Sequence, residues 1–249
     1  MQEFEFNLGT GRREPETWEH LEKYPARAAS RFETSIESVN RLLTLPHSYR
    51  KKYHQKEESS CVGHSLSWMS SIHQLMQHGE RQFYDARWLY EEAQKIDEWQ
   101  GAEPDYYGTS VNAGLKVLKA QGHKFKHQHN HEHLPERDQG IETYRWATSI
   151  DEIRTAISQG LAVVVGTNWY ESMFDPEKIG TRYWIGRNQN DLGRPAGGHA
   201  YCLYGASDKL QAFKICNSWG SKYPLTWIPY EFMQRLINEN GEAAIVTDR

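Results

Sequence analysis

The chain has 249 residues, a quarter of them charged, and a formal net charge of −4, enough for one sizeable two-lobed domain and unsuited to nucleic acid as the main partner. Its opening, Met1-Gln-Glu-Phe-Glu-Phe-Asn-Leu-Gly, lacks a basic start and an apolar core, and no apolar run approaches about 18 residues. Neither a secretory signal nor a membrane span is expected, and the expected location is the cytoplasm.

In chain order, the first 45 residues read as a polar arm followed by a helix from about Ser30 to Leu43, with Phe32, Ile36, Val39, Leu42 and Leu43 on one side. The rest, 46–249, reads as one domain, with a helical part to about residue 140 and a β part after it. From Cys61 the apolar positions 62, 66, 69, 72, 73, 75 and 76 follow a three-four period and stop at Gly79, which predicts a helix over 61–78. Further helices are predicted over about 85–97 and from Ser110 to Ala120, ending at Gly122. The turn before the latter, Tyr106-Tyr107-Gly108-Thr109, contains a glycine, which allows a close backbone approach. It also reads as a plain loop with an N-cap at Thr109 or Ser110.

His127-Gln-His-Asn-His-Glu-His133 alternates histidines, but flanking charge and Pro135 favour a solvated loop over a metal site, and no metal or other cofactor is expected. Ser149-Ile-Asp-Glu152 is a capping box opening a short helix to Gly160. Leu161-Ala-Val-Val-Val-Gly166 reads as a buried strand. Strands are also predicted at about 181–185, 199–205, 211–217 and 242–247, with a helix from Pro229 to Asn238.

The chemistry gathers at three places. His199-Ala-Tyr-Cys-Leu-Tyr-Gly and Cys216-Asn217-Ser218-Trp219-Gly220 place a histidine and an asparagine on two strands able to pair as a hairpin. Upstream, Gln55-Lys-Glu-Glu-Ser-Ser-Cys61 runs into the 61–78 helix, putting a thiol at a helix N-terminus, where the dipole favours thiolate. His199 would serve as base and then acid, with Asn217 orienting its ring. The Gln55 side-chain NH2 and the Cys61 N–H are the candidate donors to a developing oxyanion. His64, one turn beyond Cys61, reads as a packed helix histidine. Cys202 and Cys216 would be diagonal neighbours on this hairpin, and read as reduced core thiols.

Gln55, Ser60-Cys61, His199 and Asn217-Ser218-Trp219-Gly220, in that order and spacing, resemble the papain-like cysteine peptidases over roughly residues 46–249, most nearly in wording the bacterial and bacteriophage members. The resemblance implies an α+β fold of two lobes, helical and antiparallel barrel-like, with the active site in the cleft between them. It implies hydrolysis of peptide bonds in a protein or peptide substrate through an acyl-thioester. Trp219 would cover the histidine–asparagine bond, and Gly108, Thr109 and Gly198 would bind substrate.

The departures are Glu58 where secreted members have a cysteine, Val62 where they have an aromatic residue, and Tyr223-Pro224 where a second Trp-Gly pair is usual. By the same resemblance, the small, uncharged Ala196-Gly197-Gly198 beside His199 implies a roomy side-chain pocket, with Trp169, Met173 and Phe174 as its expected apolar lining. The 45 residues ahead of the domain are too few for a usual propeptide. A thioester acyl transferase uses the same parts. A non-catalytic component of a phage particle would be expected to have lost one of the four residues.

Overall fold

The computed structural model describes residues 40–42, 53–97, 107–125 and 140–248. Helix α1 (Cys61–His78) buries Val62, Leu66, Met69 and Ile72 along its apolar stripe. It ends where Gly79 turns left-handed at φ 71° and returns its N–H to the Leu75 carbonyl. Helix α2 (Ala86–Gln94) starts at Asp85, whose carboxylate accepts from the amides of Arg87 and Trp88. Helix α3 (Val111–Gln121) starts at Ser110, whose hydroxyl accepts from Ala113 N–H, and Gly122 ends it. The loop after α3 folds back on the segment that leads into α2 through the Tyr84–Phe125 bridge.

Gly63 lets α1 and α2 touch backbone to backbone. A Cβ there would overlap the Ala86 carbonyl oxygen and lie 3.0 Å from the Tyr90 amide nitrogen and Cβ. Alanine gains about 1 kcal/mol in helix propensity over glycine. Forcing two backbones apart in a closed core costs about 1–3 kcal/mol or more, so the clash wins. Gly63→Ala is expected to lower unfolding free energy by about 1–2 kcal/mol, measured as a fall in the urea midpoint at unchanged m-value; an unchanged or raised midpoint would contradict the close contact.

Among the described residues, nine strands form one sheet in the order β2-β9-β3-β6-β7-β8-β5-β4, with β1 attached to β6. They are β1 (Asn40–Leu42), β2 (Ile141–Trp146), β3 (Val163–Tyr170), β4 (Glu177–Ile179), β5 (Arg182–Trp184), β6 (Pro195–Ser207), β7 (Ala212–Cys216), β8 (Thr226–Pro229) and β9 (Glu242–Asp248). All pairs are antiparallel except β5 with β8. The thirteen-residue β6 is the spine, bonded to β3 along its first part and to β7 along its second.

Side chains alternate about this sheet, and on β6 the phase reverses past the irregularity between Leu203 and Gly205. Val164, Ala200, Cys202, Ala244 and Val246 join the core under α1–α3. Val163, Val165, Tyr201, Leu203, Ala243 and Ile245 join a second core under helices α4 (Ile150–Ser158) and α5 (Tyr230–Asn238). The Ser149–Glu152 capping box is formed in both directions. The helical part and the antiparallel sheet therefore meet where α1 lies on β6.

The expected helix from Ser30 to Leu43 is corrected at its end: Asn40–Leu42 is extended and pairs with Ser207–Gly205, because the distal part of β6 offers it a partner edge. The remainder of that helix lies outside the described residues, as does the histidine run 127–133. Cys202 and Cys216 are directly opposed across β6 and β7 rather than diagonal. Both are buried thiols, and burial pushes that of Cys216 well up. β2, β4 and β8 were not anticipated. The β-strand run beginning at 161 continues to Tyr170, and the strand carrying His199 begins at Pro195.

Candidate functional site

Cys61 opens α1, His199 lies on β6, and Asn217 follows the last residue of β7. His199 Nε2 is 2.8 Å from Asn217 Oδ1. An amide oxygen only accepts, so Nε2 carries the proton and Nδ1 of the neutral ring holds a lone pair. The Asn217 oxygen also accepts from Ser218 N–H at 2.7 Å, which fixes the amide's orientation.

His199 Nδ1 is buried and has no hydrogen-bond partner among the described residues. A buried unsatisfied nitrogen is uncommon and marks a group kept for another purpose. The amide of the next residue, Ala200, donates to Cys61 Sγ at 3.4 Å, so the sulfur is held against β6 beside the histidine. Burial pushes the His199 pKa down to about 4, against the opposing effect of the Asn217 hydrogen bond. At neutral pH this imidazole is uncharged and able to take a proton.

Aromatic rings enclose it. Trp219 stacks on the imidazole at 4.6 Å, and Trp169 meets it edge-on at 4.8 Å. Trp169 and Trp219 also contact each other at right angles, and Phe174 stacks on the far side of Trp219. Such contacts contribute about 0.5–1.5 kcal/mol each beyond burial and keep the histidine–asparagine bond dry, where it is stronger than in water.

Gln55 is fastened to the same block. Its backbone N–H donates to the Ser218 carbonyl at 2.8 Å, and its side-chain oxygen accepts from the Ser218 hydroxyl. That second bond decides which way the amide faces. Its NH2 donates one hydrogen to the Glu58 carbonyl at 2.7 Å. A bridge between His54 and Trp219 completes the fastening of the loop before Cys61. The geometry thus gathers Gln55, Cys61, His199, Asn217 and Trp219.

Gly198 precedes His199 on β6, opposite Asn168. Gly108, at φ 88°, and the buried Thr109 form the turn entering α3. His64 is buried, with Nδ1 3.0 Å from the Ser60 carbonyl oxygen one turn back, as a packed helix histidine would be.

The expected pocket lining is corrected. Trp169 and Met173 are fully buried, because β3 runs on to Tyr170 and its alternation turns Trp169 inward onto His199. Tyr223, standing where the resemblance has a second tryptophan, is also buried: it packs on Trp219 and donates to the Met173 carbonyl. Sequence reasoning missed Trp169 as a ring partner of His199 and Ser218 as the anchor of Gln55. The period-2 pattern of 163–169 was the signal for the first; nothing local to Ser218 signals the second.

The architecture is the papain-like α+β fold. Xylellain, a cysteine protease from Xylella fastidiosa, superposes with a TM-score of 0.69 at 18% identity, covering 97% of this chain and 96% of that one. A procathepsin B from Trypanosoma congolense superposes with a TM-score of 0.62 at 12% identity, covering 98% of this chain and 87% of that one. In sequence, the chain is similar to a peptidase C1-like protein of Acanthamoeba polyphaga mimivirus, 25% identical in an alignment of 227 positions that covers 80% of this chain and 70% of that protein. No protein-family model matches the sequence.

Proposed function

We propose that this chain is a papain-like cysteine peptidase that cleaves peptide bonds in proteins or peptides, with Cys61 as nucleophile, His199 as base and acid, and Asn217 as the orienter. The observation that carries it is the buried His199 Nδ1, left without a hydrogen bond while Nε2 is held by Asn217 and the next amide holds Cys61 Sγ. The papain-like fold and the similarity to the mimivirus peptidase C1-like protein support the same reading.

In the reaction, Nδ1 takes the thiol proton and the sulfur attacks the substrate carbonyl carbon. The carbonyl oxygen becomes anionic and accepts from the Gln55 NH2 and the Cys61 N–H, donors worth about 2.7–4 kcal/mol each in such sites. The imidazolium returns its proton to the leaving amine as the C–N bond breaks, leaving a thioester on Cys61. His199 then takes a proton from water, whose oxygen attacks the thioester. The acid product leaves and the thiol is restored.

Cys61 is fully buried, so access to the sulfur is part of what must be measured. An epoxide that alkylates papain-type thiols is expected to add once, on Cys61, as read by intact mass and peptide mapping, and to leave Cys61→Ala unmodified. A folded protein that takes no adduct, or takes it on Cys202 or Cys216, would overturn the assignment.

A further inference from the structure

The Asn217 amide is only half used by the contacts described above. Its oxygen accepts from His199 Nε2 and from Ser218 N–H, which fills both lone pairs. Its nitrogen, Nδ2, is buried and makes no hydrogen bond among the described residues. Unpaired donors in a dry interior are costly, and these sit on the very group that orients the histidine. Thr226 Oγ1, on β8, is a second buried polar atom left in the same way.

Both side chains face one hydroxyl. The β7–β8 ladder ends with Ile215 opposite Thr226, and continuing its register sets Pro224 across from Asn217 and Tyr223 across from Ser218. Asn217 and Thr226 both bear on the Tyr223 hydroxyl as donors, easing an ionisation that burial opposes. That hydroxyl has its own hydrogen committed elsewhere: it donates to the Met173 carbonyl at 2.8 Å, while the ring is fixed edge-on against Trp219 at 4.9 Å. What Tyr223 turns toward Asn217 is therefore an oxygen that can only accept. A tryptophan at this place would carry an N–H donor and no acceptor.

We propose that Tyr223 is a positioning residue whose hydroxyl oxygen accepts from Asn217 Nδ2, so that the amide is held with its oxygen toward His199. The proposal rests on the peptidase reading above. Reversal of the amide would set its NH2 against Nε2–H, two donors facing each other, and release the ring. The hold strengthens as the chemistry proceeds. When Nδ1 takes the thiol proton, the imidazolium draws harder on Asn217 Oδ1, which polarises the amide and makes Nδ2–H the better donor to Tyr223. Hydrogen bonds of this kind are often unformed at rest and tighten only as charge develops. The contact therefore acts on kcat rather than on substrate binding.

Tyr223→Phe tests this, because it keeps the ring against Trp219 and removes only the oxygen. Toward a peptide amide substrate, kcat is expected to fall about tenfold, one hydrogen bond's worth, with KM within about twofold. In an Asn217→Ala background the same substitution is expected to change kcat by less than about twofold, because the group it acts through is gone. An equal loss in both backgrounds would mean that Tyr223 supports only the fold and would overturn the proposal. An unchanged kcat, or a loss confined to KM, would overturn it as well. Absence of any Cys61-dependent hydrolysis by the unaltered protein would instead overturn the peptidase reading, and the role of Tyr223 with it.

Discussion

Replacing His199 by glutamine is expected to lower kcat/KM toward a peptide substrate by about three to four orders of magnitude, while His64→Ala changes it by no more than a few-fold. General acid–base catalysis by one side chain contributes about 10²–10⁴, and the sulfur also loses the group that takes its proton. Three to four decades correspond to about 4–5.5 kcal/mol of transition-state stabilisation. Glutamine retains bulk between Trp169 and Trp219, so the loss reads chemistry rather than collapse of the aromatic enclosure. A pH profile separates the two further. Only the uncharged imidazole can accept the thiol proton, and burial has drawn its pKa down to about 4. Activity should therefore persist through pH 6 and 5 and fall as pH drops through about 4, with that acid limb missing from whatever activity remains in His199→Gln. An acid limb at the ordinary histidine value near 6.5, or a variant as active as the unaltered protein, would show that His199 is not the base.

The residues of the candidate site could be singled out in the sequence because the proposed chemistry demands particular side chains in a particular order and spacing. Gln55, Cys61, His199 and Asn217 all fall at one place, and the helix that carries Cys61 announces itself by period and by its glycine stop. What could not be read is register. Pairing His199 with Asn217 seemed natural, yet Cys202 stands opposite Cys216, and continuing that register by three residues sets Trp219 across from His199. Hence the indole stacks on the imidazole, and Asn217 reaches Nε2 from one side. Trp169 was misplaced because the predicted strand stopped at Gly166, whereas β3 runs four residues further and its alternation puts Trp169 on the same face as Val163 and Val165. Strand β1 was beyond reach for a different reason. Asn40-Arg41-Leu42 carries no β signal of its own and becomes a strand only because residues 205–207 offer it an edge.

Acidification from pH 7 to 5 is expected to destabilise the fold by about 2 kcal/mol through each of two buried histidines, one of them outside the reactive site. His123 is buried between the hydroxyls of Ser67 and Ser70, each 3.1 Å from a ring nitrogen, and stacks on Tyr84 at 4.6 Å. Burial pushes its pKa down to about 3, as burial pushes that of His199 down to about 4. In the unfolded chain both would titrate near 6.5. Above that value both states are uncharged at these positions and pH has no effect through them. As pH falls below 6.5 the unfolded chain takes up two protons that the folded protein refuses, so stability falls, and continues to fall until the folded values are passed. At pH 5, 1.5 units below the unfolded value, each histidine contributes a loss of about 2 kcal/mol. His123→Phe keeps a ring against Tyr84 and lets the two serine hydroxyls turn to carbonyls of their own helix. The variant's stability, from urea titrations at pH 7 and pH 5, should fall between the two pH values by about 2 kcal/mol less than that of the unaltered protein. An identical drop in both would mean that His123 is protonated in the folded state, and that its pairing with Ser67 and Ser70 stabilises a charge.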